Sequence, residues 1–396
     1  MKRIHDDSGS HAAIWLSIAA FAAHAAFLGW AFLQAGTLGM YRWGHGAPVL
    51  MLSALGIAPL ALSIAMVLVF CKKKTPKAAI IIVSVVAVLS LLAAVTTSLF
   101  VFSNAYGKSV DASMRPIIIE PAKGLQLSDS HTLRVLISSD PHMDRDISSR
   151  DKTRSLLAYA QTQRRANNLD AFFVLGDTVE MGMYKAGWDI TLNELRTYAP
   201  DVPFSFLMGN HDSLIGGSKR WKAAVGPVDS PRMWRMDAGT VHFIALDLLW
   251  GPEGFSAKDK TWLVAQLDSI PKEDYTVVLS HCYFWASGYK DAETGMEWYD
   301  HPDMIQQLSP LLEGKADLVV SGHNHFMEWL QSPGTAWAVV GAMGGVPDKE
   351  PDYRSQYSRW FMREVFGALE LTLTDSGLSC AFLDHEGKQL QSFIIP

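Results

Sequence analysis

The chain opens on three long apolar runs and continues as short ones. Residues 12–34, 47–70 and 78–102 are runs of 23, 24 and 25 residues, and none contains Asp, Glu, Lys or Arg. A helix needs about 20 apolar residues to cross the hydrocarbon core, so each run predicts a transmembrane helix. His24 is the one ionisable side chain inside them and is read as a neutral imidazole among alanines. The leading segment carries Asp6 and Asp7, and the first run exceeds the 7–15 apolar residues of a signal core, so it is read as a retained helix. Lys2, Arg3, Lys72, Lys73, Lys74 and Lys77 flank the spans on one side, against Arg42 alone in the first connection. That bias predicts a multi-pass protein of the cell (inner) membrane, with the chain after residue 102 outside the cytoplasm.

Residues 103–131 read as a tether, with RPIIIEP as a short strand. From 132 onward strands and helices alternate. Strands are expected at 133–140, 171–177, 203–210, 275–281 and 316–323, with helices over 153–168, 187–198, 256–270 (capped by Ser256) and 303–315. The tail, 364–396, alternates in strand fashion with turns at Asp375–Gly377 and Glu386–Gly387. Such alternation predicts an α/β fold with a buried sheet and helices on its faces. Ligands in such folds gather beyond the carboxyl ends of the strands, so the strand ends matter most.

Those ends repeat one chemistry. The first strand runs into Asp140 and His142, the second into Asp177 and the third into Asn210, His211 and Asp212. The fourth runs into His281 and the fifth into His323 and His325. Anionic oxygen mixed with imidazole suits Mn, Fe and Zn, where a softer site would use cysteine. Two such ions a few ångströms apart can clamp a phosphate and acidify a water. Charge agrees with this division. Residues 1–102 hold seven Lys/Arg against two Asp/Glu, and the remainder 27 against 38, so the part beyond the spans is acidic at −11. That argues against nucleic acid as the main partner. Cys282 and Cys380 read as buried free thiols, pairing being open only in an oxidising compartment.

The ordered set Asp140-Pro-His142, Gly176-Asp177, Gly209-Asn210-His211-Asp212, His281 and Gly322-His323-Asn324-His325 resembles the calcineurin-like metallophosphoesterase superfamily over about 132–345. The resemblance implies a sandwich of two mixed sheets flanked by helices, and two divalent metal ions, manganese foremost. It implies Asp140, His142 and His325 at the first metal, Asn210, His281 and His323 at the second, and Asp177 bridging. It further implies His211 as the catalytic histidine, oriented by Asp212, and attack on a phosphate ester by a metal-bound hydroxide. Purple acid phosphatases of the superfamily carry a tyrosine ligand where this chain has Glu180, so their charge-transfer iron site is not expected. Many members carry proline where this chain has Tyr283.

Other residues are read as structural: Asp144 and Asp146 as solvated loop, His242 and His301 as outside the motifs, Arg354 and Arg359 as loop cations. Tyr283 and Trp285 read equally as pocket lining or packing. The expectation is a membrane-anchored phosphoesterase with the bilayer as a partner and a phosphate-ester substrate, lipid-linked in one alternative as a headgroup or polyprenyl-phosphate hydrolase. A second alternative is a sensor or scaffold that has lost turnover. A transporter is disfavoured because the spans lack paired charges.

Overall fold

In the computed structural model the chain divides into two units, Met1–Gly107 and Lys108–Pro396. The structure describes Val85, Val88, Leu92, Thr96 and Leu99 of the first unit and, short gaps aside, residues 110–395. The runs at 12–34 and 47–70 lie outside the described residues, as does most of 78–102. Among the described residues no helix is long and apolar enough to cross a membrane. Val85, Val88, Leu92 and Leu99 are helical, and each is more than half exposed.

Fourteen described strands form the second unit, in chain order β1 (Ile117–Ile118), β2 (Leu133–Ser138), β3 (Ala171–Val174), β4 (Pro203–Phe206), β5 (Trp234–Ala238), β6 (Val241–Leu246), β7 (Tyr275–Ser280), β8 (Leu318–Ser321), β9 (Met327–Gln331), β10 (Ala336–Val340), β11 (Ser358–Met362), β12 (Gly367–Thr374), β13 (Gly377–Asp384) and β14 (Gln389–Ile394). They make two seven-stranded sheets, ordered β1-β4-β3-β2-β12-β13-β14 and β11-β9-β10-β8-β7-β6-β5. Both are mixed. β2, β3 and β4 run parallel, as do β6, β7 and β8, while β12 returns antiparallel against β2.

Period-2 alternation explains the layering. In β2, Leu133, Val135 and Ile137 join a core shared with Phe243, Val277, Leu318 and Leu371 of both sheets. Leu136 faces the other way, into a second core with Leu156, Trp188 and Leu195 of the helices Arg150–Arg165 and Lys185–Tyr198. On the second sheet's outer face Ile244, Val278 and Val319 pack with Leu263 and Leu267 of helix Ala257–Asp268. Its N-terminus closes as expected, with Ser256 Oγ accepting from Asp259 N at 3.2 Å and Asp259 Oδ2 from Ser256 N at 2.8 Å. Phe173 and Phe243 meet edge to face at 4.9 Å across the central core. Truncating either to Ala removes a buried ring worth about 3–5 kcal/mol.

Several expectations change. Part of the 103–131 segment belongs to the fold: β1 pairs parallel with β4, and Ile119 and Leu125 enter the central core. The helix expected over 303–315 is two pieces, Pro302–Gln307 and Ser309–Leu312, because Pro310 lacks the amide that would continue the ladder. Each motif strand ends before its ligands, which occupy the following loops. Cys282 and Cys380 are buried and form no disulfide, and burial pushes the Cys380 thiol up to about 12.

Candidate metal centre

Five loops carry the predicted ligands, three from the first sheet (after β2, β3 and β4) and two from the second (after β7 and β8). Backbone bonds stitch these loops together. Asp140 N donates to Gly176 O at 3.0 Å, His142 N to Asp177 O at 3.1 Å, and Gly322 N to His281 O at 3.0 Å. Ser139 N donates to Val340 O at 3.1 Å, joining the two sheets at this end. His323 N donates to Asp140 Oδ2 at 2.8 Å, and His211 N to Asp177 Oδ1 at 2.9 Å.

The loops are strained where they carry chemistry. Asp140, His142, Asp177 and His323 have φ of 60°, 41°, 48° and 70°. Non-glycine residues rarely occupy that region, and such outliers cluster at functional sites. Gly176, at φ 115°, is required for two reasons. An added Cβ would fall 2.6 Å from Gly209 N and 2.7 Å from His281 Nδ1, in a conformation side chains avoid.

Three donor groups assemble, the atoms of each within 4.8 Å of one another. One is Asp140, His142 and His325, the second is Asp177, His281 and His323, and the third is His142, Glu180 and His211. Asn210 joins the second group, its Oδ1 lying 2.8 Å from His281 Nε2 and 2.9 Å from His323 Nδ1. Asp177 reaches toward both ends, 3.4 Å from His281 Nε2 and 3.7 Å from His142 Nε2.

The arrangement of the imidazoles tests whether cations fit. His281 Nδ1 lies 3.0 Å from Leu175 O and His325 Nδ1 2.7 Å from Val346 O. A carbonyl only accepts, so both Nδ1 atoms carry a proton, and the neutral His281 ring turns an Nε2 lone pair inward. His281 Nε2 then faces the Asn210 oxygen at 2.8 Å and His323 Nδ1 at 3.2 Å. His142 Nε2 is buried without a hydrogen-bond partner, 4.0 Å from Asp140 Oδ1, which in turn lies 3.4 Å from His325 Nε2. Inward lone pairs and orphaned buried acceptors repel one another, and a pair of cations relieves that repulsion.

The titration behaviour agrees. Burial lowers His142 and His281 to about 4, and burial with the neighbouring His281 lowers His323 further, so these three are neutral donors. Burial alone would lower His325, but the adjacent Asp140 carboxylate reverses this and raises it to about 9. Burial alone would raise Asp140, yet His325, His281 and His142 hold it far below the usual carboxylate range. Burial, then Asp140 and Asp212, push Asp177 well above its ordinary value. A cavity with too much negative charge for its burial is one that positive ions complete.

His211 stands beside the ligands. Its Nδ1 lies 2.7 Å from Glu180 O and its Nε2 4.0 Å from Asp177 Oδ2. The Asp212 carboxylate, expected to orient this ring, accepts from Gly209 N at 2.9 Å and Val179 N at 3.2 Å. Asp212 therefore ties the Gly209 loop to the Asp177 loop, and burial raises its pKa to about 7.

Sequence reasoning passed over Glu180 except as a departure from tyrosine. Its Oε2 lies 2.9 Å from His142 Nδ1, which counters the effect of burial on that ring. Asp144, read as solvated, is partly buried and accepts from Glu180 N at 2.6 Å, while Asp146 and His301 lie outside the described residues. Tyr283 is buried and stacks on His323 at 5.7 Å, and Trp285 meets Tyr357 edge to face at 4.8 Å. Arg354 pairs with Glu350 at 2.7 Å and lies over Phe361. Arg359 approaches Ser358 O at 3.3 Å.

Comparison with known proteins places this geometry. No curated protein matches the chain by sequence. Among solved structures, a purple acid phosphatase from yellow lupin (Lupinus luteus) seeds superposes with a TM-score of 0.56 at 19% identity, covering 68% of this chain and 55% of that one. GAP50, titled the anchor in the inner membrane complex of Plasmodium, superposes with a TM-score of 0.53 at 15% identity, covering 67% and 89%. At these identities the likeness is one of fold. The Calcineurin-like phosphoesterase family profile matches residues 133–327, a stretch that holds all seven predicted ligands. Residues 133–327 therefore form a calcineurin-like phosphoesterase domain.

Proposed function

We propose that the protein is a membrane-anchored phosphoesterase whose extracytoplasmic domain hydrolyses phosphate esters with two divalent ions, manganese first among Mn, Fe and Zn. The observation that carries the two-ion reading is the meeting of the His281, His323 and Asn210 donor atoms at 2.8–3.2 Å, with the His281 proton committed to Leu175 O. Asp140, His142 and His325 would hold one ion, Asn210, His281 and His323 the other, and Asp177 both. When bound, the pair acidifies a water and neutralises charge on the phosphate.

The chain's own residues do the rest. The Glu180 carbonyl holds the His211 Nδ1 proton, so Nε2 turns toward Asp177 and the phosphate position. A protonated Nε2 can then donate to the departing oxygen. Tyr283, stacked on His323, fixes the plane of a second-site ligand. Asp212 holds two ligand loops together through the amides of Gly209 and Val179.

Membrane anchoring is supported by the apolar stripe Val85, Val88, Leu92 and Leu99, exposed along a helix and in need of lipid or neighbouring helices to cover it. The same stripe favours the second reading, a lipid-headgroup or polyprenyl-phosphate hydrolase. One screen tests both: purified full chain with Mn(II) against soluble monoesters, cyclic and linear diesters, and phospholipids in detergent. Hydrolysis of soluble esters supports the first reading, and activity confined to lipid phosphates selects the second. Two ions bound with no turnover on any of them would leave a scaffold. For topology, a reporter after residue 396 is expected to be active outside the cytoplasm and one near residue 74 inside it; the reverse result moves the site to the cytoplasm.

A further inference from the structure

The third donor group is unexplained by two ions. His142, Glu180 and His211 converge, yet His142 already faces the first site through Nε2, 3.7 Å from Asp177 Oδ2. What remains is the outer edge of the ring, and there Glu180 is the neighbour, its Oε2 2.9 Å from His142 Nδ1. The same residue holds His211 from the other side, its carbonyl 2.7 Å from His211 Nδ1. The two rings stand edge to face at 4.9 Å, so Glu180 braces both at once.

Glu180 is itself braced. Its amide donates to Asp144 Oδ1 at 2.6 Å, and Arg145 Nη1 lies 3.3 Å from Oε2. Asp144 and Arg145 follow His142 in the same loop, and Arg145 N donates back to His142 O at 3.0 Å. The loop after β2 thus grips the residue three positions past Asp177, and that residue in turn orients a ring of the loop. A carboxylate on the outer nitrogen of a ligating imidazole fixes its proton and its rotation and makes the inner nitrogen a better donor. His281 and His325 use backbone carbonyls for this purpose. His142 instead meets a side chain, so its orienting partner can be removed by mutation.

We propose that Glu180 is a positioning residue that holds His142 for the first metal and His211 for the leaving group, with its carboxylate serving the first site only. The proposal rests on the two-ion reading above. Removal of the Glu180 carboxylate is expected to weaken one ion and spare the other, whereas a purely structural residue would affect both or neither.

The test is titration of the purified, metal-free full chain with Co(II) alone, read by calorimetry and by visible absorption. Wild type, Glu180→Ala, Glu180→Gln, His325→Ala and Asn210→Ala are compared. Glu180→Ala is expected to weaken one of the two sites by about 10–100-fold, the usual cost of losing an orienting partner, with Glu180→Gln in between. Its spectrum at one equivalent should match that of His325→Ala, which lacks a first-site ligand, and differ from that of Asn210→Ala. Retention of both wild-type affinities overturns the proposal, as does equal weakening of both sites. Wild type binding no ion would sink the two-ion reading itself, a failure distinct from that of Glu180.

Discussion

His242 and His281 lie at opposite ends of neighbouring strands, and the contrast separates a structural histidine from a ligand. At the amino end of β6, His242 Nδ1 lies 2.7 Å from Asp237 Oδ1 and Nε2 2.9 Å from Asp274 Oδ2, with Arg235 alongside at 3.1 Å. Both ring nitrogens meet a carboxylate of the protein's own. At the carboxyl end of β7, one nitrogen of His281 is satisfied by Leu175 O and the other faces an amide oxygen and another imidazole. The two ends hold similar residues, and what differs is whether the protein completes its own charge. At the carboxyl end the proposed ions would complete it.

The sharpest way to break this contrast is Asp177→Asn. Losing the shared carboxylate is expected to empty both sites and drop activity to the assay background, as chelation should do reversibly in wild type. Elemental analysis finding two tightly held ions in the variant would count decisively against a bridging Asp177.

His211→Ala is expected to keep both ions and lose turnover by about 10²–10⁴-fold, the usual worth of a positioned acid. The loss should be largest for alkoxide-like leaving groups and shrink for nitrophenyl esters. Loss of an ion would make His211 a ligand. An equal loss for good and poor leaving groups would make charge stabilisation its main role.

The two sites should differ in pH dependence. In the metal-free chain the Asp140 carboxylate overrides burial and holds His325 at about 9. His325 is therefore protonated at neutral pH, and the first ion must displace that proton. First-site affinity should rise roughly tenfold per pH unit from about 7 to 9, then level. The second-site imidazoles are already neutral there, since burial holds His281 at about 4 and lowers His323, so they release no proton. Calorimetry in buffers of different ionisation enthalpy reads the difference; equal proton release attributable to both sites would undo it.

The smallest catalytic effect belongs to His242→Ala, which should leave kcat and metal content unchanged. It strands Asp274 and is expected to cost about 1–3 kcal/mol of stability, measurable by denaturant titration. A fall in metal content would show that the amino end is coupled to the site.

The chemistry of the carboxyl end was legible because it is local. Asp140 and His142 sit two apart after one strand, and His323 and His325 two apart after another, so each loop announces its donors within a few residues. Glu180 escaped because its role depends on His142, 38 positions earlier, and nothing in GDTVEMG marks a contact across that distance. The backbone contacts of Asp212 escaped for a related reason. Adjacency to His211 suggested a pair, but the turn Asn210–Ser213 points the carboxylate back at Gly209 and Val179. β5, β6 and β9 to β11 carried no catalytic residue to draw attention, whereas the short strand read in RPIIIEP is β1.

By itself the sequence determined the strand–helix alternation, the seven donors and their order, and the apolar runs that stand apart from them. These follow from short-range periodicity and from residue chemistry, which need no partner to be read. The tertiary structure decided that the donors come from two sheets rather than one. It also decided that Asp177 lies between the two groups, that Leu175 and Val346 carbonyls set the Nδ1 protons, and that Glu180 meets both His142 and His211. Those are contacts between segments far apart in the chain, and which segments meet depends on how the two sheets bury their common core, a property no local pattern contains.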